Sequence, residues 1–169
     1  MSEQRTMITF SAGRWRFQYR VGAVVIRNGH VLLMKPGARD IWFVPGGRIE
    51  MGEPARLALE REVREELGVA SQIGRLLWTN ENFFATNETL YHEFALYFEV
   101  TLAADAHTDL SARITGTEGD APYECAWHPL TSLSQITLLP GFLVQALVNL
   151  PGPPEHVVEV DPSARPFVT

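Results

Sequence analysis

Residues 47–69 constrain the fold more than any other part of this sequence, because the segment is strongly charged and bounded by glycines. Pro54 suits the first position of a helix, where its missing N–H would have no partner. Gly68 is a common residue just past the end of a helix. We therefore predict one helix between them, with an aliphatic stripe that docks on a core. The stripe consists of Leu59, Val63 and Leu67.

Three carboxylates share one face of this predicted helix. Glu62, Glu65 and Glu66 are three and four positions apart, and residues at these spacings are neighbours on a helix surface. Their like charges repel one another unless a cation lies among them. Hard oxygen ligands suit Mg²⁺ or Mn²⁺, whereas a solvated helix face is the usual meaning of a charge run. The spacing alone does not separate these two interpretations.

The wider pattern separates them. Gly47 is followed after six residues by Glu53 and after eight more by Arg61-Glu62. An aliphatic residue, Glu65-Glu66, Gly68 and a second aliphatic residue complete the pattern. At average residue usage, such a match arises by chance less than about once in a million chains of this size. The segment is identified as a Nudix box, so the chain resembles the Nudix hydrolase family.

The order of elements agrees with the fold that this resemblance implies, an α/β fold of the Nudix type: an α/β/α sandwich with a mixed β-sheet. The Asn28-Gly29 dipeptide predicts a tight hairpin between two apolar, central strands. Residues 80–89 and 103–119 are predicted as connections. The remaining predicted elements are strands at 7–19, 21–27, 31–35, 42–45, 73–79, 90–102, 124–128 and 156–160, a turn at 131–135, and a second helix at 140–150.

Length and composition limit the class of protein. The 169 residues predict a single Nudix domain over 1–155 and a C-terminal tail over 156–169. A net charge of −6 argues against general nucleic-acid binding. Cys125 is the only cysteine, so an internal disulfide and cysteine-based zinc sites are excluded, and a buried strand position is expected. Without an apolar signal region or a bilayer-spanning run, we expect a cytoplasmic protein with no membrane partner.

The resemblance implies hydrolysis of a phosphoanhydride (pyrophosphate) bond in a nucleoside diphosphate linked to another moiety, either ADP-ribose-like or a dinucleotide. Glu62, Glu65 and Glu66 would be the metal ligands, joined by a carbonyl oxygen of Gly46 or Gly47. More than one Mg²⁺ or Mn²⁺ ion is expected, because two ions can activate the water and stabilise the leaving group.

The same resemblance suggests roles for acids and a cation near the metal. Arg61 and Glu53 resemble the pair that braces the loop against the helix, although Arg61 could instead attract a substrate phosphate. The general base is either a box glutamate or an acid from a late loop. Glu118, in a glycine-flanked loop before a strand, is the main candidate. Its alternatives are Asp120, Glu93 and Glu81.

Candidate substrate-binding residues come from two chemical classes. Lys35, Arg39 and Arg48 are the basic residues nearest the predicted metal in the sequence, and any of them could hold a phosphate. Trp42 and Phe83 could stack a base, but both also fit an ordinary core.

Three alternatives stay open. The substrate could be a nucleoside triphosphate, since nothing in the sequence decides this. A non-catalytic nucleotide sensor would be expected to lose box glutamates, and here all are present. A homodimer is a candidate assembly, with the aromatic N-terminal segment as its interface.

Overall fold

The computed structural model describes residues 6–118 and 120–168. Its strands, in chain order, are β1 (Thr9–Ala12), β2 (Trp15–Val24), β3 (Ile26–Arg27), β4 (His30–Pro36), β5 (Ser71–Thr86), β6 (Thr89–Leu102), β7 (Arg113–Glu118), β8 (Ala121–Pro129) and β9 (Glu155–Val160). Its helices are α1 (Ala55–Leu67) and α2 (Leu143–Ala146), with 3₁₀ turns at Leu130–Gln135 and Arg165–Phe167.

The strands form two sheets. The larger has the order β1-β2-β6-β5-β9, and the smaller has the order β3-β4-β8-β7. In the larger sheet, β2 pairs with β6 and β5 with β9 in parallel, whereas β1–β2 and β5–β6 are antiparallel. The predicted α/β class with a mixed sheet is therefore confirmed. The strand predicted at 156–160 is β9, which extends the sheet beyond β5.

Helix α1 begins and ends where its sequence signals predict, within one residue. Pro54 is its N-cap, and Gly68 takes the left-handed conformation, with φ 68°, while its N–H bonds to the Arg64 carbonyl oxygen at 3.0 Å. Leu59, Val63 and Leu67 are at most 3% exposed, so the aliphatic stripe docks on the core as expected. None of the described helices is long and apolar enough to cross a bilayer.

The second predicted helix is wrong in extent, because only Leu143–Ala146 of residues 140–150 is α-helical. Val148 and Asn149 have low helix propensities, and Pro151 disfavours the α conformation at the residue before it. The segment nevertheless buries two of its apolar side chains: Leu143 and Leu147 lie in a cluster with Trp78 from the larger sheet.

The predicted hairpin at Asn28-Gly29 is confirmed, with φ values of 49° and 74° that suit a tight turn between antiparallel strands. The prediction of one continuous strand over 21–27 is wrong. Val24 ends β2 in the larger sheet, and Ile26 begins β3 in the smaller sheet. The chain changes sheets at the buried residue Val25, where an apolar run carries no signal for the crossing.

Pairing also produces strands where the sequence predicted connections. Residues 80–86 belong to β5, and the turn lies at Asn87 and Glu88, both with positive φ. Part of the predicted loop 103–119 forms β7, paired with β8. The strand predicted at 42–45 is reduced to single bridges at Trp42 and Phe43. Strand formation here depends on the partner strand rather than on propensity.

Two hydrophobic clusters hold the layers together. One joins α1 to strands of both sheets, and the other joins the 42–44 segment, the 3₁₀ turn and α2 to strands of both sheets. Cys125 of β8 is fully buried, as expected, and burial raises the pKa of its thiol to about 12. A thiol with this pKa stays protonated at neutral pH, so Cys125 is a packing residue rather than a nucleophile.

Candidate active site

Two glycines let the loop before α1 press against a carboxylate. Gly46 has φ 142°, and a Cβ there would collide with the carbonyl oxygen of Val21. A Cβ on Gly47 would collide with the side-chain carboxylate of Glu62. Only a residue without a side chain brings the backbone this close. The loop and the helix are therefore fitted to each other at this point.

The three box glutamates differ in exposure. Glu62 and Glu66 are each 9% exposed, whereas the Glu65 side chain is 50% exposed. The Glu66 carboxylate accepts the Gly46 N–H at 2.9 Å. Its backbone carbonyl oxygen accepts the Tyr123 hydroxyl at 2.8 Å, which ties the β7–β8 hairpin to the end of α1. Two carboxylates thus face the loop and one faces solvent.

Arg61 lies among these acids. Its Nε and Nη2 donate to the two carboxylate oxygens of Glu53 at 2.9 and 3.0 Å, and Nη1 donates to Glu62 at 2.8 Å and to Glu65 at 3.3 Å. Nη2 also donates to the Arg48 carbonyl oxygen at 3.2 Å. Hydrogen bonding to Glu53 raises the pKa of Arg61 further above its ordinary value, against the opposing effect of burial. We call Glu53, Arg61, Glu62, Glu65 and Glu66 the carboxylate site.

The donor chemistry of the carboxylate site fits a hard divalent cation. Among the described residues, no three His, Cys, Asp or Glu side chains converge closely enough to hold a metal ion. The reason is visible in the site, because the Arg61 guanidinium occupies the space between Glu62 and Glu65. Yet this one guanidinium has four carboxylates within 4 Å, including Glu50 at 3.9 Å. That excess of acids favours a further cation.

The predicted carbonyl ligands lie in the same loop. The Gly47 carbonyl oxygen accepts the Val21 N–H at 2.9 Å, so it is already part of the backbone pairing between loop and sheet. A carbonyl oxygen has a second lone pair, which leaves it able to accept another contact.

A cavity of about 500 Å³ adjoins this loop through Val21 and Gly22, against which Gly46 packs. Val21, Gly22 and Val44 form the wall next to Gly46, and Arg39 lies on the lining. Its volume falls within the range of pockets that hold small molecules. Of the five predicted substrate-binding residues, Arg39 is the one that lines the cavity.

The other predicted substrate-binding residues lie elsewhere. Trp42 is 4% exposed and packs edge-on against His128, with ring centres 4.3 Å apart, which leaves little free face for a base. Lys35 lies over the Trp42 ring at 5.0 Å and pairs with Glu124 at 3.8 Å. The residues before and after Phe83 line the cavity, and side chains alternate along a strand, so Phe83 points away from the cavity. Its ring stacks on His92, with ring centres 4.4 Å apart. Arg48 contacts the carboxylate site through its backbone carbonyl oxygen.

The candidate general bases are dispersed. Glu118 ends β7, rather than lying in a loop, and its side chain lies outside the described atoms. Asp120 is exposed in the turn before β8. Glu81 lies on the Phe83 face of β5 and pairs with His156 at 3.1 Å. Glu93 is buried in the cavity floor. The identity of the base stays a prediction.

Sequence reasoning assigned no role to several polar cavity residues, among them Gln18, Arg20 and Asn82. Each is a single polar residue within a strand. The alternation of side chains shows which residues share its face of the sheet, but it does not show whether that face lines a cavity. Only the register, which places Gln18 and Asn82 on either side of Glu93, shows that they belong together.

Comparisons with known proteins identify the family. The family model of the NUDIX domain matches residues 16–146. The CTP pyrophosphohydrolase of Escherichia coli (strain K12) is 30% identical over 128 residues, which cover 73% of this chain and 89% of that protein.

Solved structures agree on the fold. A MutT NUDIX hydrolase from Burkholderia pseudomallei has a TM-score of 0.52 at 25% identity, over 68% of this chain and 84% of the other. A UDP-X diphosphatase has a TM-score of 0.58 at 16% identity, over 88% and 68%. The resemblance predicted from residues 47–69 is therefore confirmed, and this chain belongs to the Nudix hydrolase family.

Proposed function

We propose that this Nudix hydrolase is a Mg²⁺- or Mn²⁺-dependent enzyme that cleaves the pyrophosphate bond of a nucleoside diphosphate linked to another moiety, ADP-ribose-like or a dinucleotide. The observation that carries the proposal is that Glu66 of the carboxylate site binds Gly46, which packs against Val21 and Gly22 in the wall of a cavity large enough for a nucleoside. Attack of water on one phosphorus breaks the P–O–P bridge and leaves two phosphate monoesters.

Glu62, Glu65 and Glu66 would hold the metal, and more than one ion is expected. When bound, the metal supplies charge neutralisation on the phosphate oxygens and lowers the pKa of a water. Glu65 is best placed to meet an incoming ion because half of its side chain is exposed. Glu66 keeps the loop in place through the Gly46 N–H.

Two cations of the chain have distinct tasks. Arg61 positions Glu53 and Glu62 and limits their mutual repulsion. Arg39, on the cavity lining, can contact a phosphate that reaches from the cavity toward the carboxylate site. Binding the diphosphate between a fixed metal site and a guanidinium orients the phosphorus for in-line attack.

A second substrate class is favoured by one finding: the Escherichia coli relative is named as a CTP pyrophosphohydrolase. A nucleoside triphosphate would enter the same site and leave as a monophosphate and pyrophosphate. Product identification separates the two classes, because a diphosphate-linked substrate yields two phosphate monoesters and no pyrophosphate.

The test uses Glu65→Gln and Glu66→Gln in a panel of ADP-ribose, a dinucleotide and nucleoside triphosphates with Mg²⁺. Each change removes a charge but keeps the shape, and a loss of at least about a hundredfold in kcat is expected. Glu60→Gln is the matched control, since Glu60 is on the same helix and forms an ion pair with Arg64 at 2.9 Å on the exposed side.

Metal binding has its own readout. Mg²⁺ should raise the thermal unfolding temperature of the wild-type protein and of Glu60→Gln, and should raise that of Glu65→Gln less. Full activity in both site variants would refute the metal site. Selective nucleotide binding without turnover of any substrate would instead favour a sensor.

A further inference from the structure

Four polar side chains form a row across the floor of the cavity. Gln18 of β2 is directly opposite Glu93 of β6, Glu93 is opposite Asn82 of β5, and Asn82 is opposite Glu159 of β9. All four line the cavity. Neighbouring strands are about 5 Å apart, so their side chains can contact one planar molecule together. We call these four residues the polar row.

The middle of the polar row is buried and incompletely partnered. Glu93 is 7% exposed and Asn82 is 8% exposed. Oε2 of Glu93 accepts the Gln18 amide at 2.6 Å and lies 3.8 Å from Arg20 Nε, whereas Oε1 has no hydrogen-bond partner among the described residues. The Asn82 amide likewise has no side-chain partner within the described chain, although it faces the cavity.

Glu159, at the end of the polar row, already has hydrogen-bond partners. Both carboxylate oxygens of Glu159 accept backbone N–H groups, from Gly141 at 2.8 Å and from Phe142 at 2.6 Å. Glu159 therefore fixes the segment that leads into α2. The groups that await a partner are the Oε1 atom of Glu93 and the amide of Asn82.

Their chemistry defines a complementary ligand. An ionised carboxylate only accepts hydrogen bonds, whereas a carboxamide both donates and accepts. Buried groups of this kind are costly without partners, so a ligand that supplies them gains affinity. An amino group satisfies Glu93, while a carbonyl oxygen at the same position is repelled by it. The group next to it can be a donor or an acceptor, because Asn82 accommodates either.

We propose that the polar row reads the hydrogen-bonding edge of a nucleobase and selects bases with an exocyclic amino group over uracil. The amino group donates to Glu93 Oε1, and the adjacent ring nitrogen or carbonyl oxygen pairs with the Asn82 amide. Phe43, Phe84 and Leu139 supply apolar lining for the ring. The inference rests on the proposed function for the identity of the ligand as a nucleotide.

Nucleoside monophosphates test this selection without turnover, because they contain no phosphoanhydride bond. CMP against UMP and AMP against IMP are matched pairs in which one amino group becomes a carbonyl oxygen. Titration calorimetry with the full chain and Mg²⁺ should show the amino member at least about tenfold tighter in one pair or both.

Glu93→Gln should reduce this ratio to less than about threefold, since a carboxamide can donate to a carbonyl oxygen and still accept from Gln18. Glu99→Gln is the matched control: Glu99 is on the same strand and the same face, lies outside the cavity lining and pairs with Arg75. Its ratio should equal that of the wild type. Thermal unfolding of each variant checks that the fold survives.

Asn82→Ala provides a second route if Glu93→Gln fails to fold, and it should weaken the amino member about tenfold. Equal binding within both pairs, discrimination that survives Glu93→Gln, or absence of saturable binding by all four monophosphates would overturn the inference. Hydrolysis without base selection would refute only this inference, whereas base selection without hydrolysis would refute only the proposed function.

Discussion

The carboxylate site and the cavity adjoin each other, yet they are assembled in different ways. The site and its loop come from one continuous stretch, residues 46–66, made up of helix α1 and the loop that precedes it. The polar row comes from four strands, and its members lie between positions 18 and 159. Chemistry common to a family can be carried by such a local unit. Selection among substrates depends on residues that only the sheet brings together.

The two regions also treat charge differently. In the carboxylate site one guanidinium lies within 4 Å of several carboxylates. On the cavity floor the Glu93 carboxylate accepts a hydrogen bond from the Gln18 amide and lies close to the Arg20 guanidinium. The first arrangement suits a cation, and the second suits a neutral, directional partner.

The largest expected effect is the difference in stability between losing Arg61, which holds acids of the carboxylate site, and losing Arg64, which holds only an exposed acid. Arg61→Ala removes the bidentate partner of the mostly buried Glu53 carboxylate, so the free energy of unfolding should fall by about 2–4 kcal/mol. Arg64→Ala, the control on the same helix, removes an exposed pair and should cost less than about 1 kcal/mol. Urea unfolding of both variants measures the difference. Equal losses would show that Arg61 is no more than a surface residue.

A pair of glycine substitutions should sharpen the contrast between the regions. In Gly22→Ala the new Cβ meets the Tyr97 ring at 2.7 Å and Val44, both in the packed cavity wall, and should lower the free energy of unfolding by about 1–3 kcal/mol. In Gly47→Ala the three atoms nearest the new Cβ all belong to the Glu62 carboxylate, the far end of a flexible side chain that can rotate away. That variant should keep most of its stability and lose most of its kcat.

Denaturant unfolding and steady-state kinetics on both variants check this prediction. If Gly47→Ala proved the less stable of the two and fully active, the assignment of Glu62 to the reaction would be wrong.

The smallest expected effect concerns Asp161 at the edge of the cavity. The Ser163 hydroxyl and backbone N–H donate to its carboxylate and hold its pKa below the ordinary value. A depressed folded-state pKa adds stability above the unfolded pKa of about 3.9, and this contribution is lost as the pH falls through the folded-state value.

Asp161→Asn should therefore cost less than about 1 kcal/mol at pH 7, because the group is largely exposed, and the difference should disappear in strong acid. Unfolding curves at pH 7 and at pH values below about 3 measure it. A difference that persisted in acid would show that the effect is steric rather than electrostatic.

Local patterns predicted the parts of the fold whose determinants are neighbours in sequence. Gly68 ended the helix, and Asn28-Gly29 formed the hairpin, because both conformations depend on one or two residues. The break of the first apolar run at Val25 depended on β6, about 75 residues away, and the strand character of residues 80–86 depended on pairing with β6 across the turn and with the distant β9. The length of α2 was set by packing and by Pro151 rather than by an apolar pattern.

The sequence by itself determined the family, the charged helix and the three acids on one of its faces, because helix geometry converts spacing directly into proximity. Only the tertiary structure decided that Glu62 and Glu66 are buried against the loop while Glu65 is exposed. It also decided that Trp42 is enclosed in the core and that Gln18, Glu93 and Asn82 share one cavity floor. Strand register creates these relations, and register is a property of pairs of distant segments that no single segment specifies.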